Sequence, residues 1–181
     1  MAGPMLRRLL LLVAAVVLLA GCGTSLLPDD YPADPDGTLD RIRADGVVRV
    51  GASPRPGWVE VGDGDPTGRE PGLVEAFAES LGADVEWTVT GEEDLVRLLE
   101  EGEIDLAVGG FTDTNAWVDK VGLTRSYAEV AFSPIGTIIT CEVEVAGTTE
   151  AHVMMVPMGE NALMSRLERW LDDHSDEGGA R

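Results

Sequence analysis

The chain has 181 residues, of which 33 are acidic and 13 are Lys or Arg, so its net charge is −20 at neutral pH. A surface this acidic repels phosphate backbones and anionic headgroups, which excludes a nucleic-acid partner and membrane binding through a basic patch. The two histidines stand far apart and lack the spaced partners of a zinc site. We therefore expect no metal and no other cofactor.

The first 21 residues have the pattern of an export signal. Arg7 and Arg8 precede an apolar run over residues 9–20, which is shorter than a helix that spans the bilayer. The run ends in Leu-Ala-Gly followed by Cys22, which resembles the lipobox of bacterial lipoproteins, where the cysteine is diacylated and becomes the mature N-terminus. The pattern predicts a protein held on the extracytoplasmic side of the cell membrane by lipid on Cys22. An ordinary secretory signal with a chance cysteine is the alternative.

The segments that flank the predicted domain have a different composition. Residues 22–37 are rich in Pro, Asp and Gly, which predicts a flexible tether, and the polar residues 173–181 predict a disordered tail. With Cys22 lipidated, Cys141 has no partner for a disulfide, and a buried, inert thiol is its expected state.

Between residues 38 and 112, helical and strand patterns alternate. Three helices and three strands are expected: a helix over 38–46 with Thr38 as cap and Gly46 as stop, a strand over 47–51, a helix over 71–81, a strand over 84–90, a helix that opens with a Thr90–Glu93 capping box, and a strand over 104–108. This order predicts a parallel sheet covered by helices, with the loops after its strands on one rim.

Beyond Tyr127 the pattern changes. Residues 130–145 are apolar and β-branched, interrupted by proline and glycine, and predict extended chain or a hairpin. Residues 152–156 predict a further strand, and a last helix is expected from Gly159 through residue 171.

The stretch "GGFTDTNAW" at residues 109–117 predicts a turn that exposes backbone N–H groups at the start of a short helix near Asn115. Such a turn favours an anion. A structural role fits equally well, with Thr114 capping that helix, Trp117 packing its apolar face and the glycines allowing close approach of strand and helix.

Several segments in order resemble the signatures of bacterial extracellular solute-binding protein family 3, a type II periplasmic binding protein family. They are "LDRIRADGVVRVGAS", "GREPGLVEAFAESLG", "LVRLLEEGEIDLAVGGFT", "VGLTRSYAE" and "VMMVPMGENALMSRLERWL". The resemblance implies an α/β domain over residues 38–172. Family members have two lobes with the ligand between them. Here a short insert over residues 135–151 replaces the second lobe, which predicts a single lobe unable to close around a ligand.

The resemblance also implies a changed pocket. Family amino-acid binders use an arginine that clamps the ligand carboxylate, and that position is Trp117 here; the stacking aromatic position falls near Glu92. Ser53 and Trp58 lie near the family's polar and aromatic contacts, and the family's glycine and threonine positions correspond to Gly110, Thr112 and Thr114. The candidate ligand-binding residues are Ser53, Trp58, Glu92, Gly110, Thr112 and Trp117.

Together these features predict a membrane-anchored solute-binding lipoprotein associated with ABC-type transport or solute sensing, with the lipid bilayer and an ABC permease or another envelope protein as partners. The alternative is a protein-interaction module on the same scaffold. An enzyme of the cyclohexadienyl dehydratase or transglycosylase-associated type is a further alternative. Because no nucleophile–base pair is visible and no catalytic domain follows, we expect a protein that is not an enzyme.

Overall fold

The computed structural model describes residues 34, 36–132 and 148–174. The predicted signal peptide, Cys22, Cys141, residues 133–147 and all but the first two residues of the predicted tail lie outside this part of the chain, so the expectations for them remain predictions. Of the predicted tether, only residues 34, 36 and 37 are described. None of the described helices is long and apolar enough to cross a membrane.

Four helices and six strands form the domain. In chain order they are α1 (Thr38–Asp45), β1 (Val47–Ala52), α2 (Arg69–Leu81), β2 (Asp84–Val89), α3 (Glu92–Glu100), β3 (Leu106–Thr112), β4 (Gly122–Leu123), β5 (Ala128–Phe132), β6 (Thr148–Val156) and α4 (Asn161–His174). The strands predicted at 47–51, 84–90, 104–108 and 152–156 and the four predicted long helices are present. β6 begins earlier than predicted, so it takes in the last four residues of the predicted insert, and α4 continues two residues into the predicted tail.

The strands make one sheet in the order β2-β1-β3-β6-β4, with β5 also paired to β6. β1 runs parallel to both β2 and β3, as predicted. β6 returns antiparallel to β3 and pairs antiparallel with β4 and β5. The α/β fold class is therefore confirmed, and the sheet is mixed because the chain comes back in the opposite direction after residue 132.

Side chains alternate along the strands and separate the core into two layers. One layer packs α1, α2 and α4 against the sheet, and the other packs α3 against its opposite face. In β3, Leu106 and Val108 belong to the first layer and Ala107 and Phe111 to the second. A side chain at Gly51 in β1 would overlap Leu95 and Ile104, so the glycine lets α3 lie directly on the sheet.

The predicted caps of two helices are wrong. Thr38 is the first residue of α1 rather than its cap, and Gly37 occupies the cap position without a side-chain bond. The backbone N–H of Thr38 donates instead to the buried carboxylate of Glu160 at 3.2 Å. Gly46 ends the helix in the left-handed conformation, as expected.

At α3 the predicted Thr90–Glu93 capping box is absent, because Gly91 is the cap residue and makes no side-chain cap bond. The Thr90 hydroxyl instead lies 3.2 Å from the carboxylate of Asp94. The predicted apolar stripe is confirmed, since Leu95, Leu98 and Leu99 are all buried. Burial of this stripe, rather than a cap, therefore holds α3 in place.

Candidate functional site

The carboxyl ends of β1, β2 and β3 lie at one edge of the sheet, as the alternating pattern predicts. Two backbone bonds join the chain segments that leave this edge. Ser53 N–H donates to the Val108 carbonyl at 2.9 Å, and Thr90 N–H donates to the Ala52 carbonyl at 3.1 Å. We call this edge the rim.

The two glycines of the turn at residues 109–117 bind a carboxyl group that comes from the chain itself. Both Gly109 and Gly110 donate their backbone N–H to one carboxylate oxygen of Glu70, each at 2.8 Å. The hydroxyl of Tyr127 donates to the other oxygen. Glu70 is fully buried in the first turn of α2. The N–H groups that were expected to favour an anion are therefore already bonded to an internal side chain.

The electrostatics of Glu70 are a balance of opposed effects. Burial raises the pKa of this carboxyl above its usual value, because water no longer solvates the charge. The Tyr127 hydroxyl, the N–H groups of Gly110 and Gly109 and the charge of Arg69 act in the opposite direction. Burial, followed by the nearby Glu70, also raises the pKa of Tyr127, so its hydroxyl stays protonated and remains the donor.

Trp58 covers this buried group from the loop between β1 and α2. Its ring stacks on His152 with centroids 3.7 Å apart and meets Tyr127 edge-on at 6.3 Å. The Arg69 guanidinium lies 5.1 Å from the indole centroid. A side chain at Gly110 would come within 2.9 Å of the indole, so the glycine provides the space for Trp58. The Trp58 ring is therefore half-buried and packs against its neighbours, and it also forms part of the rim.

His152 forms the floor beneath the indole. It is 2% exposed, and burial lowers the pKa of its imidazole, so the neutral ring is favoured. Within the described residues Nδ1 has no hydrogen-bond partner. Across that same part of the chain no cluster of His, Cys, Asp and Glu could hold a metal ion. The imidazole therefore serves as a flat stacking surface.

The second part of the rim joins Trp117 to Glu92. The Trp117 indole N–H donates to a Glu92 carboxylate oxygen at 2.7 Å, and Lys120 lies 5.7 Å from the centre of the Trp117 ring system. These two residues occupy the positions that the family resemblance assigns to the clamp arginine and the stacking aromatic. Here they bind to each other, and the contact is exposed to solvent.

The expected helix near Asn115 is a turn over residues 116–120, and Thr114 does not cap it. The Asn115 side chain does so instead, because its carbonyl oxygen accepts from Trp117 N–H at 2.8 Å. The Asn115 amide also donates to the Thr112 carbonyl at 2.7 Å. The Thr112 and Thr114 hydroxyls lie 3.3 Å apart, at the end of β3.

The structure thus places the predicted site residues in separate contacts. Gly110 is bonded to Glu70, Ser53 and Trp58 lie beside Gly109 and Gly110, and Glu92 pairs with Trp117. Sequence reasoning missed Glu70 and His152 as functional residues. Glu70 was visible only as part of the Gly68–Glu70 signature that opens α2, and the isolated histidine carried no spacing signal.

The domain matches the bacterial extracellular solute-binding proteins, family 3, over residues 48–180. The chain belongs to this family. Membership confirms the resemblance seen in the sequence, and the family description places its members outside the cytoplasm.

Relatives of this family-3 chain include proteins named membrane-bound lytic murein transglycosylase F. The one from Photobacterium profundum is 34% identical over 125 residues, which is 67% of this chain and 22% of the relative. The one from Maricaulis maris is 35% identical over 127 residues, 68% of this chain and 27% of the relative. This chain therefore spans about a quarter or less of such relatives. Their names denote an enzyme, which contradicts the expectation that the protein is not one.

Solved structures support the fold. An ancestral cationic amino-acid solute-binding protein superposes with a TM-score of 0.63 and 18% identity, covering 78% of this chain and 95% of that one. The arginine-bound domain 1 of an arginine-binding protein, TmArgBP, gives a TM-score of 0.59 with 20% identity, covering 74% and 98%. The domain therefore has the architecture of a type II solute-binding protein lobe.

Proposed function

We propose that the protein is a membrane-anchored lipoprotein that takes part in murein remodelling outside the cytoplasm, and that its domain is the ligand-binding part of a transglycosylase system. The observation that carries the proposal is the similarity of the domain to proteins named membrane-bound lytic murein transglycosylase F. The lipid on Cys22 supplies the anchor, because residues 7–22 have the pattern of a lipoprotein signal.

The rim geometry supports a ligand different from a free α-amino acid. The backbone N–H groups of Gly109 and Gly110 are already bonded to Glu70. The clamp position carries Trp117, whose indole N–H is bonded to Glu92. Neither the N–H groups of the turn nor the clamp position is free to bind a ligand carboxylate, whereas Glu92 and the indole face suit an amino or guanidinium group. We therefore propose that the ligand presents a cationic group, such as the free amine of a murein peptide.

A second candidate is solute binding for ABC-type transport or sensing. It is favoured by the arginine-bound TmArgBP domain 1, in which a single domain carries a cationic amino acid. On this proposal the ligand is free arginine or a polyamine and the partner is a permease. Both candidates use the same acidic and aromatic rim, and ligand identity separates them.

Calorimetry on the full chain, purified in detergent, tests the proposal with soluble murein peptides, arginine, a polyamine, glutamate and glutamine. We expect murein peptides that carry a free amine to bind best. Glutamate and glutamine should bind with a dissociation constant of about a millimolar or weaker, which corresponds to about 4 kcal/mol. Micromolar glutamate binding would contradict the rim geometry. Binding of arginine or a polyamine but not of murein peptides would favour transport. No binding of any of these compounds would favour a protein-interaction module.

A paired substitution tests the role of the rim residues. In Trp117→Arg the new guanidinium would form an ion pair with Glu92, so we expect no gain in glutamate binding. In Trp117→Arg combined with Glu92→Gln the guanidinium is free, and glutamate binding should strengthen by about tenfold or more. Trp117→Phe combined with Glu92→Gln is the matched control, since it removes the same contact without adding charge. Equal glutamate affinity in both double variants would refute the assignment of these positions.

A further inference from the structure

The sheet has an open edge at β2. This strand is the last in the sheet order and pairs on one side only, with β1, within the part of the chain that the structure describes. Asp84 N–H and Thr90 N–H point towards the segment of β1, donating to Gly46 and Ala52. Because backbone groups alternate in direction along a strand, the N–H and C=O groups of Val85, Trp87 and Val89 point outward. These three residues offer a further strand its hydrogen bonds.

A groove of about 520 Å³ lies beside this edge. Its floor is formed by Val85 and Trp87, which are half-buried and pack against the core. Its walls carry four carboxylates and no basic residue: Asp65, Glu75, Glu79 and Asp84. None of the four takes part in an ion pair with another described residue.

Charge decides what kind of strand fits. A second copy of this chain would place its own four groove carboxylates opposite these four, and the repulsion between like charges opposes that pairing. The sequences of the chain's own segments at 22–33 and 133–147 contain acidic residues and no Lys or Arg, so they do not complement the groove. A basic segment would complement the charge of the groove. In an added strand every second side chain faces α2, where Glu75 and Glu79 stand one helical turn apart.

We propose that the β2 edge is a docking site for an extended basic segment of a partner protein, added to the sheet as a further strand. Backbone bonds to Val85, Trp87 and Val89 align the segment, and Lys or Arg at alternate positions pair with Glu75 and Glu79. The two carboxylates that it uses, Glu75 and Glu79, are not rim residues, and the site meets the rim only at Val89, the last residue of β2. Its test is independent of the ligand panel described above.

The probe is an acetylated and amidated pentapeptide of alternating lysine and valine, added to the full chain in detergent. We expect saturable binding that weakens with salt, and slowed amide hydrogen exchange at Val85, Trp87 and Val89. A peptide of the same sequence with every backbone amide N-methylated keeps the charge but cannot donate hydrogen bonds as a strand, and should bind at least about tenfold more weakly. Equal binding of the two peptides, or no binding at millimolar peptide, would overturn the proposal and leave the carboxylates as a guard against edge-to-edge aggregation.

Substitutions separate the contribution of the groove carboxylates from that of the backbone hydrogen bonds. Glu75→Gln with Glu79→Gln should weaken binding by about tenfold, whereas Glu93→Gln with Glu103→Gln removes the same charge elsewhere and should change it less than about twofold. Val89→Pro removes one outward donor and should weaken binding, while Val89→Ala should not, with thermal unfolding confirming that both variants fold. Concentration-dependent dimers that disappear in Val89→Pro would identify a second copy as the occupant and refute the basic partner.

Discussion

Glu70 offers the sharpest test of how the rim is built. Its carboxylate satisfies three buried donors, the N–H groups of Gly109 and Gly110 and the hydroxyl of Tyr127. In Glu70→Ala all three lose their partner, at about 1–3 kcal/mol each. The sum, about 3–9 kcal/mol, is comparable with the whole stability of a domain, about 5–15 kcal/mol. We therefore expect Glu70→Ala to be largely unfolded, which makes the isosteric Glu70→Gln the informative variant.

In Glu70→Gln the amide oxygen can keep both glycine bonds, and the Tyr127 hydroxyl must turn to accept from the amide nitrogen. Each of these bonds that the amide cannot remake costs about 1–2 kcal/mol. This cost depends on pH because burial raises the pKa of Glu70 in the folded state. A raised folded pKa means that the carboxyl contributes most below its unfolded pKa, and that this contribution is lost as the pH rises through the folded pKa. The stability difference between wild type and Glu70→Gln should therefore narrow as the pH rises from about 4.5.

Urea unfolding followed by circular dichroism, at intervals between about pH 4 and pH 8, measures this difference directly. All other titrating groups are common to both proteins, so the difference isolates Glu70. A difference that widens with pH would refute the reasoning, because it would show that the three donors outweigh burial and lower the pKa. Tyr127→Phe is the matched control, since it removes one donor and leaves the carboxyl in place.

Three further outcomes are expected. Asp105→Asn should lower the free energy of unfolding in urea by about 2–3 kcal/mol, because Asp105 is 1% exposed and binds Arg41 and Arg49, each at 2.5 Å. This loss is smaller than the about 3–5 kcal/mol expected for a fully buried pair, because both arginines are partly hydrated. Gly110→Ala should cost about 2–4 kcal/mol and alter tryptophan fluorescence, since φ is 61° and the new methyl group would meet the indole; an unchanged spectrum would contradict that packing. Cys22→Ala should abolish both acyl labelling and partition into detergent, and labelling that persists would refute the lipidation prediction.

Local patterns predicted the elements well because each depends on its own neighbourhood. The stripe of Leu95, Leu98 and Leu99 marks a helix whose face is buried, and all three are buried. The cap of α1 could not be predicted in the same way. Its carboxylate comes from Glu160, 122 residues from Thr38 in sequence, and no window along the chain brings them together.

The site shows the same limit more clearly. Residues 109–117 predicted a turn that favours an anion, and that chemistry is present in the N–H groups of Gly109 and Gly110. The identity of the anion depended on the position of α2 over the end of β3, which is a property of the sheet order rather than of either segment. A glutamate that looks like an ordinary first-turn residue of a helix is for this reason the buried centre of the rim.

The buried carboxylate also changes how the missing clamp is understood. From the sequence, the loss of the arginine at Trp117 looked like the loss of an anion site. In the structure the strongest anion site of the turn is occupied from inside, and Trp117 is bonded to an acid of its own, Glu92. Two acidic side chains thus lie along one rim, Glu70 buried and Glu92 exposed, and both occupy the donors that could have bound a ligand carboxylate. A ligand with a positive group can instead contact Glu92 and an aromatic face, and Glu70 keeps its buried hydrogen bonds. On the proposed function, selectivity against free acidic amino acids is expected from the placement of these acids, even though the backbone of the turn is still shaped to bind an anion.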